Sequence, residues 1–278
     1  MRAFLLCILL TPSFLANGQS PWVAGKGKGY VQVGFTSIGP YQELFQSDGG
    51  SYRLSHVITD RTLQFFGEYG VADHTSILAS VPFKFLTQGE GFDPFFPATR
   101  KTSFSTIGNI QIAARHNFTD EKFLLSTQWT LEIPTAGFDE LNSIRGGLNA
   151  YSLIPSMSIG KGFSNFYAFA STGFAVRTNN YSSDFRVGAE AGYKVIDRIY
   201  LILVLDIVES LKNGSVFEDL TLRRIGLYLN NQSYFAYGIK TIIGFTDKLG
   251  INGAFYGARS GNLVARSPSL NLGAYYKW

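Results

Sequence analysis

Charged side chains at alternate positions of short apolar segments are the residues of this sequence whose chemistry can be predicted first. The residues two positions before and after each charge are mostly small or polar, and the residues directly beside it are mostly apolar. The charged residues are the acidic residues Glu68, Glu132, Glu190 and Asp206 and the basic residues Lys84, Arg115, Arg177, Arg186, Lys194, Lys240 and Lys277. Placed along one face, such groups would select among solutes, with a weak preference for anions. They would equally form an ion-pair and hydrogen-bond network that fills an interior, and both interpretations stay open.

Catalytic chemistry requires a nucleophile with a base, or carboxylates close to a histidine. The three histidines are widely spaced, and we expect His56 in a long loop, His74 in a turn and His116 on an outward face. His56 with Asp48 and Asp60 could be arranged as a protease site at a loop rim, but this segment is more typical of a solvated loop. We therefore expect that the protein is not an enzyme.

No metal or cofactor site is expected. The histidines are far apart, and Cys7 is the only cysteine, so thiolate and disulfide chemistry are absent after the N-terminal segment is removed. Residues 25–29 alternate Gly and Lys without forming a phosphate-binding motif, and we interpret them as a flexible segment before the first strand. The formal charge of +4 is scattered without a basic run, which argues against nucleic-acid binding.

The N-terminus is typical of a secretory signal peptide. Arg2 precedes an apolar core at residues 3–10, and the small residues Ala16 and Gly18 stand two positions apart. We predict a signal peptide over residues 1–18 and one domain over residues 19–278, with a short membrane anchor as the alternative. No apolar run in the sequence reaches the ~18 residues that a membrane-spanning helix needs.

The elements that position the charged side chains are predicted to be β-strands, because two-residue alternation recurs along the chain. In the clearest example, Phe185 and Val187 share one face of a strand, and Arg186 and Glu190 share the other. Twelve strands are predicted, at residues 30–38, 62–70, 76–86, 106–118, 122–134, 150–160, 166–178, 184–195, 199–211, 233–245, 251–258 and 269–278. Pro155 is an unfavourable residue within the sixth strand, because proline cannot donate to the ladder.

The connections between these strands alternate between short turns and longer polar segments such as residues 39–60, 87–102 and 135–148. A soluble lipocalin-type barrel also alternates, but twelve strands enclose more space than apolar side chains would fill, and the polar phase carries charges. We therefore predict an all-β protein, a twelve-stranded antiparallel up-and-down transmembrane β-barrel of a Gram-negative outer membrane. Its short turns are expected in the periplasm and its longer loops outside the cell.

The last strand carries Leu270, Leu272, Tyr276 and Trp278 on one face, and the chain stops on an aromatic residue. Interfacial aromatic residues mark the rim of membrane barrels. This ending resembles the C-terminal signature of bacterial outer-membrane barrels. We predict that Tyr276 and Trp278 form the assembly signal that the barrel-assembly machinery recognises.

Three short strings resemble those of the phenol-degradation (meta-pathway) outer-membrane transporters. They are GNIQIAARHNF at residues 108–118, LEIPTAG at residues 131–137 and GLYLNNQSY at residues 226–234. The resemblance would extend over most of the mature chain. It implies an outer-membrane pore for small, aromatic or apolar molecules, with membrane lipid and the solute as partners.

Together these observations predict a channel for the passive passage of small solutes across the outer membrane. The alternative is a barrel with a plugged lumen that has a structural or surface-recognition role.

Overall fold

The computed structural model describes residues 20–93, 96–99, 101–119, 123–216 and 227–278, and the predicted signal peptide lies outside them. The strands are β1 (Gly29–Phe45), β2 (Ser51–Ala72), β3 (Thr75–Asp93), β4 (Phe96–Thr99), β5 (Thr102–Ile107), β6 (Ile110–Asn117), β7 (Leu124–Ile133), β8 (Phe138–Asp139), β9 (Ile144–Arg145), β10 (Ser152–Gly162), β11 (Phe166–Arg177), β12 (Asp184–Ile196), β13 (Ile199–Ser210), β14 (Ser233–Gly244), β15 (Leu249–Asn262) and β16 (Ser269–Lys277). Within these ranges, no helix has the length and apolar character needed to cross a membrane.

The strands form one closed antiparallel barrel. The sheet runs from β2 through β1, β16, β15, β14, β13, β12, β11, β10, β7 and β6 to β3, and β3 returns to β2. Strands β5 and β6 pair with successive parts of β3 and together occupy one place in the wall. The wall therefore has twelve strand positions. The first and last strands pair from Tyr30 with Lys277 to Ile38 with Ser269, which closes the seam. The predicted twelve-stranded antiparallel barrel is confirmed.

The outward face of the barrel is apolar. Large hydrophobic side chains stay exposed at alternate positions, for example Val31, Val33 and Phe35 on β1 and Leu270 and Leu272 on β16. A water-soluble surface would not carry such a continuous apolar belt. This belt fits the hydrocarbon of a bilayer, and closure of the sheet satisfies the backbone groups that lipid cannot.

Both ends of the described chain lie at the end of the barrel that carries the short turns, which is the periplasmic end in outer-membrane barrels. The prediction of a long loop at residues 39–60 is wrong. Strand β1 runs to Phe45 and β2 begins at Ser51, so only residues 46–50 connect them. The sequence pattern concealed this hairpin because the register shifts between Ile38 and Tyr41 and again before Glu43, which breaks the two-residue phase.

The predicted loop at residues 87–102 is also partly strand, because β3 runs to Asp93 and β4 and β5 pair with it. The predicted strand at residues 106–118 is interrupted after Ile107. At the break, Thr135 substitutes for ladder partners: its Oγ1 accepts from the Ile110 amide at 3.1 Å and donates to the Gly108 carbonyl at 2.6 Å. A side chain that lies just beyond the end of the neighbouring strand β7 therefore bridges the wall at this point.

Pro155 does lie inside a strand. In β10 it stands opposite Trp129 of β7, while the pairing of β10 with β11 lapses between Leu153 and Ser156. The missing proline N–H therefore falls where the ladder is already open, which explains why a proline is tolerated there.

Candidate functional site

The interior of the barrel has three layers along its axis, an aromatic layer at the periplasmic end, a polar layer in the middle and an aliphatic layer at the extracellular end. The periplasmic layer consists of buried residues from six strands and one residue from the N-terminal segment. They are Trp22, Tyr30, Tyr167, Phe169, Tyr200, Ile202, Val204, Ile242, Ala254, Tyr256 and Tyr275. The predicted inward charges Glu68, Arg115, Glu190 and Lys240 are buried at this end of the barrel too, together with aromatic rings that the alternation did not predict there.

The N-terminal segment, residues 20–24, lies inside the barrel and acts as a plug at the periplasmic end. The Trp22 ring meets Tyr167 and Phe169 edge-on, with ring centroids 5.5 and 5.7 Å apart. Pro21 packs where a side chain on Gly160 would stand, since a Cβ there would lie 2.5 Å from the proline ring. Close packing on both sides fixes the plug in the lumen.

Polar side chains of β2, β3 and β6 hold the backbone of this plug. Arg115, which is 1% exposed, donates to the Trp22 carbonyl at 2.7 Å and forms an ion pair with Glu68 at 3.4 Å. The Ala24 amide donates to Glu68 Oε1 at 3.1 Å and to Ser76 Oγ at 2.8 Å. Two of the predicted lumen residues, Arg115 and Glu68, therefore bind the plug.

The Gly/Lys segment that follows the plug is not the flexible lead-in that its composition predicts. The Gly27 amide donates to the Gly70 carbonyl at 2.9 Å, and the Gly70 amide donates to the Lys28 carbonyl at 2.9 Å. A tight turn at Gly27, whose φ is 75°, brings the backbone of this segment within hydrogen-bonding distance of Gly70. The glycines connect the plug to β1 by a defined route along the end of β2.

Aliphatic side chains on the inside of β1, β2 and β3 form the extracellular layer. Residues of two extracellular connections cover them. The buried members are Tyr41, Leu44, Leu54, Ile58, Leu86, Ile144, Leu227 and Leu229. The extracellular end of the lumen is therefore largely apolar.

The middle layer holds a cavity of about 290 Å³. Four of the predicted lumen charges line it, namely Lys84, Glu132, Arg177 and Arg186. Neutral polar side chains such as Gln64 and Asn109 complete most of the wall. The mixed polar and apolar lining of the cavity and its size suit a small organic solute.

Lys84 lies on one wall of the cavity with two partners that the sequence reading missed. Its Nζ donates to Asp60 Oδ2 at 3.0 Å and stands 5.2 Å from the centre of the Tyr228 ring. The Tyr228 hydroxyl donates to the same carboxylate at 3.1 Å. Burial raises the pKa of Tyr228 well above its ordinary value, and the Asp60 charge raises it further, so the phenol stays a donor.

Two arginines share one carboxylate on the wall formed by β11 and β12. Arg186 Nε donates to Asp184 Oδ1 at 2.6 Å, and Arg177 Nη2 donates to Asp184 Oδ2. Arg177 Nη1 also donates to the Ser182 carbonyl at 2.6 Å. Within the part of the chain that the structure describes, the buried Nε of Arg177 has no hydrogen-bond partner, nor has the buried Oγ of Ser152, which pairs with Arg177 in register.

Glu132 occupies the third wall, and amide side chains hold it in place. Asn109 Nδ2 donates to Oε1 at 3.1 Å, and Gln111 Nε2 donates to Oε2 at 2.8 Å. Asn109 also donates to the Leu148 carbonyl at 2.9 Å, which ties the connection between β7 and β10 to the cavity. No cation among the described residues forms an ion pair with Glu132 within 4 Å.

The remaining predicted lumen charges lie between the cavity and the periplasmic end of the barrel, or at the periplasmic rim. Glu190 and Lys240 are buried with Oε2 and Nζ 3.6 Å apart, and Asp206 accepts from the Tyr234 hydroxyl at 2.9 Å. Lys194 pairs with exposed Asp197 at 3.3 Å. Lys277 also lies at this rim, where its Nζ stands 5.5 Å from the ring centre of Tyr275.

Every predicted lumen charge lies on the inward phase of its strand, but the structure brings only four of them together at the cavity. Most of the others form ion pairs or hydrogen bonds inside the barrel, as the network interpretation expects. The partners Asp60, Asp184 and Tyr228 were missed. Asp60 and Asp184 do follow the two-residue phase of Thr62 and Arg186, and this signal could have identified them.

The histidine positions differ from the expected ones in one case. His56 lies in β2 rather than in a loop, buried on the inward face with its Nδ1 2.8 Å from Ser55 Oγ. His116 lies on the outward face near the periplasmic end, where its ring packs on Phe118 at 4.9 Å. Among the described residues, no three His, Cys, Asp or Glu side chains form a group that could hold a metal ion.

Solved structures with the same architecture are outer-membrane barrels. The COG4313 outer membrane channel from Pseudomonas putida F1 has a TM-score of 0.71 and 12% identity, over 92% of this chain and 98% of that chain. The NanC porin has a TM-score of 0.53 and 7% identity, over 89% and 100%. The beta domain of the Bordetella autotransporter BrkA has a TM-score of 0.53 and 11% identity, over 91% and 100%.

No protein-family model matches the sequence, and no curated protein has a significant sequence match. At these low identities the structural likeness concerns the fold, which is that of an outer-membrane β-barrel. Together with the apolar outer belt, this fold confirms a location in the outer membrane.

Proposed function

We propose that the protein is a channel for the passive passage of small solutes across the outer membrane. The observation that carries this proposal is the polar cavity of about 290 Å³ midway inside a closed membrane barrel. A barrel whose only task was to be stable would have no need of charged side chains around an open space at its centre. The likeness in fold to outer-membrane channels supports the same conclusion.

The solutes of this channel are small and partly apolar. The apolar side chains Ile38, Pro82 and Leu148 line the cavity beside the charges, and apolar layers stand above and below it. Such a path favours compact molecules with an apolar part, including aromatic ones, over large hydrophilic molecules. This range of solutes agrees with what the resemblance to the phenol-degradation transporters implies.

Planar-bilayer recordings of the refolded full-length protein test the channel. We expect discrete conductance steps, with a small unit conductance because the plug and the aliphatic layer narrow the lumen. Swelling of liposomes that contain the protein, with small uncharged aromatic solutes, measures permeation without an electric field. No conductance and no swelling would contradict the proposal.

The plug gives specific support to a second candidate, a barrel with a structural or surface-recognition role. Trp22 and Arg115 occupy the periplasmic end so closely that they could close it permanently. This candidate predicts that the wild type is silent in bilayers, and conductance that appears only in a Trp22→Ala variant would support it. Conductance of the wild type favours the channel.

The proposal assigns no catalytic reaction to the barrel. His56 and Asp60 lie on the inward face of β2, and Asp60 is engaged by Lys84 and Tyr228. A His56→Ala variant should therefore match the wild type in any hydrolysis assay of the purified protein. A hydrolytic activity that disappears in this variant would contradict the proposal.

The proposal for assembly is that the barrel-assembly machinery recognises the C-terminal strand through Tyr276 and Trp278. Their rings stack on the outward face with centroids 6.1 Å apart, and both are close to half exposed. They are thus available to another protein before the seam closes.

A further inference from the structure

We propose that the central cavity is a binding site for a small organic carboxylate that also carries a hydroxyl group. The inference rests on the proposed channel function only for the route by which the solute reaches the cavity. The carboxylate would bind at Arg177 and Arg186, the hydroxyl would bind at Glu132, and the carbon skeleton would contact the apolar part of the wall.

The arginine pair offers more donors than its own carboxylate can accept. Asp184 receives hydrogen bonds from Arg186 Nε at 2.6 Å, from Arg186 Nη2 at 3.3 Å and from Arg177 Nη2. Two positive charges therefore share one negative charge. Among the described residues, Arg177 Nε is buried without an acceptor, and Arg186 Nη1 forms no hydrogen bond.

An unsatisfied buried guanidinium donor is costly, and a carboxylate is the partner that best fits its planar geometry. Both arginines line the cavity, whereas Asp184 does not. Arg177 Nε is fully buried, so a carboxylate in the cavity would meet Arg186 Nη1, the guanidinium donor of the pair that forms no hydrogen bond among the described residues and is not fully buried.

Glu132 provides a second anchor, which is negatively charged and accepts hydrogen bonds. Its two oxygens each accept one amide hydrogen bond, from Asn109 and Gln111, and a carboxylate has about four acceptor positions. Acceptor capacity thus remains for a hydroxyl donor on the solute. A second carboxylate on the solute would be repelled by Glu132, so a monoanion fits better than a dianion.

The separation of the two anchors sets the length of the solute. Glu132 pairs with Ser152, and Ser152 pairs with Arg177, so the two anchors lie two strand positions apart around the inner surface of the barrel. Two strand spacings are roughly 10 Å between Cα atoms. Side chains that converge on the cavity leave room for one ring or a short carbon chain.

The apolar part of the wall would hold that carbon skeleton. Ile38, Pro82, Leu148 and the ring of Tyr228 line the cavity together with the charged groups. A free inorganic anion would leave these side chains without a partner. The cavity of about 290 Å³ lies at the small end of the range for ligand sites.

Calorimetric titration of the folded full-length protein with para-hydroxybenzoate tests the site. The neutral isostere para-hydroxybenzyl alcohol and inorganic phosphate serve as comparison ligands. We expect the carboxylate to bind at least about tenfold more tightly than the alcohol, which is the effect of one charge-assisted hydrogen bond. Equal binding of the alcohol, equal binding of phosphate, or no binding of the carboxylate would overturn the inference.

Variants then locate the site. Arg177→Gln should reduce the affinity for para-hydroxybenzoate to that for the alcohol, and Glu132→Gln should weaken it less. The matched control is Arg198→Gln, because Arg198 is an ion-paired arginine on a periplasmic turn. Unchanged affinity in Arg177→Gln would overturn the inference. The comparison of ligands on the wild type remains decisive if this variant does not fold.

Bilayer recordings separate this inference from the channel itself. A protein that conducts but does not distinguish the carboxylate from the alcohol would keep the channel function and remove the binding site. A protein that binds the carboxylate selectively but never conducts would keep the site and remove the channel.

Discussion

Trp278 covers Gly29 across the seam of the barrel. The Gly29 amide donates to the Trp278 carbonyl at 3.3 Å, and the Trp278 amide donates to the Gly29 carbonyl at 3.1 Å. The indole lies so close that a Cβ on Gly29 would stand 2.1 Å from its ring. The first and last residues of the barrel wall therefore fit each other by shape as well as by backbone pairing.

A Gly29→Ala substitution tests this fit. We expect the methyl group to displace the indole and to lower the free energy of unfolding by about 1–3 kcal/mol, the usual range for overpacking. Urea titration of the protein in lipid vesicles measures the change. Gly257→Ala is the matched control, because a Cβ on Gly257 meets nothing within 4 Å. Equal stability of the two variants would mean that the indole moves aside at no cost.

Deletion of Trp278 tests the assembly signal. Without the indole the last strand loses its rim aromatic and its stacking with Tyr276, so we expect less folded protein in the outer membrane of an expressing cell. Heat-modifiable mobility in gel electrophoresis measures the folded fraction. Trp129→Ala is the control, since Trp129 is an outward tryptophan in the middle of β7 that is 57% exposed. Normal assembly without Trp278 would contradict the signal.

The barrel could be predicted from the sequence because a closed sheet with lipid outside imposes one simple rule on every strand. Residues such as Arg186 and Glu190 alternate with Phe185 and Val187, and each stands on the face that its polarity predicts. The rule fails where polarity no longer separates the two faces. Beyond the apolar belt, the hairpin of β1 and β2 is exposed to water outside, so its alternation weakens and it resembled a loop.

The plug could not be predicted, because its contacts depend on tertiary structure alone. Arg115 reaches Ser20 across 95 positions of sequence, and no periodic pattern connects residues that far apart. The break at Gly108 and Asn109 is similar, since it depends on a side-chain contact from Thr135, which the strand pattern does not show. Strand patterns reveal which face a residue occupies, but they do not reveal which chain segment enters the lumen.

A Trp22→Ala substitution tests the plug as a barrier. The loss of the indole removes contacts with Tyr167 and Phe169, so we expect a wider periplasmic end and a unit conductance several times that of the wild type. A buried tryptophan also stabilises the fold, and its removal should lower the free energy of unfolding by about 3–5 kcal/mol. Trp129→Ala, outside the lumen, should leave the conductance unchanged. Equal conductance of Trp22→Ala and the wild type would show that the plug does not limit flow.

A charge reversal at Arg186 tests whether the interior charges select ions or only stabilise the barrel. Arg186→Glu would place a third carboxylate beside Asp184 and Glu132, so we expect the reversal potential in a KCl gradient to shift towards cation preference. Because the cavity is narrow and poorly screened, one charge should act strongly there.

Arg198→Glu is the matched control for this charge reversal, because it makes the same change on a periplasmic turn where the side chain is 52% exposed. The reversal potential of this control should stay within a few millivolts of the wild-type value, since exposed charges are screened over about 8 Å at physiological salt. If Arg186→Glu folds and leaves both the reversal potential and the conductance unchanged, the interior charges act as a stabilising network, and selectivity has to arise in the apolar layers above and below them.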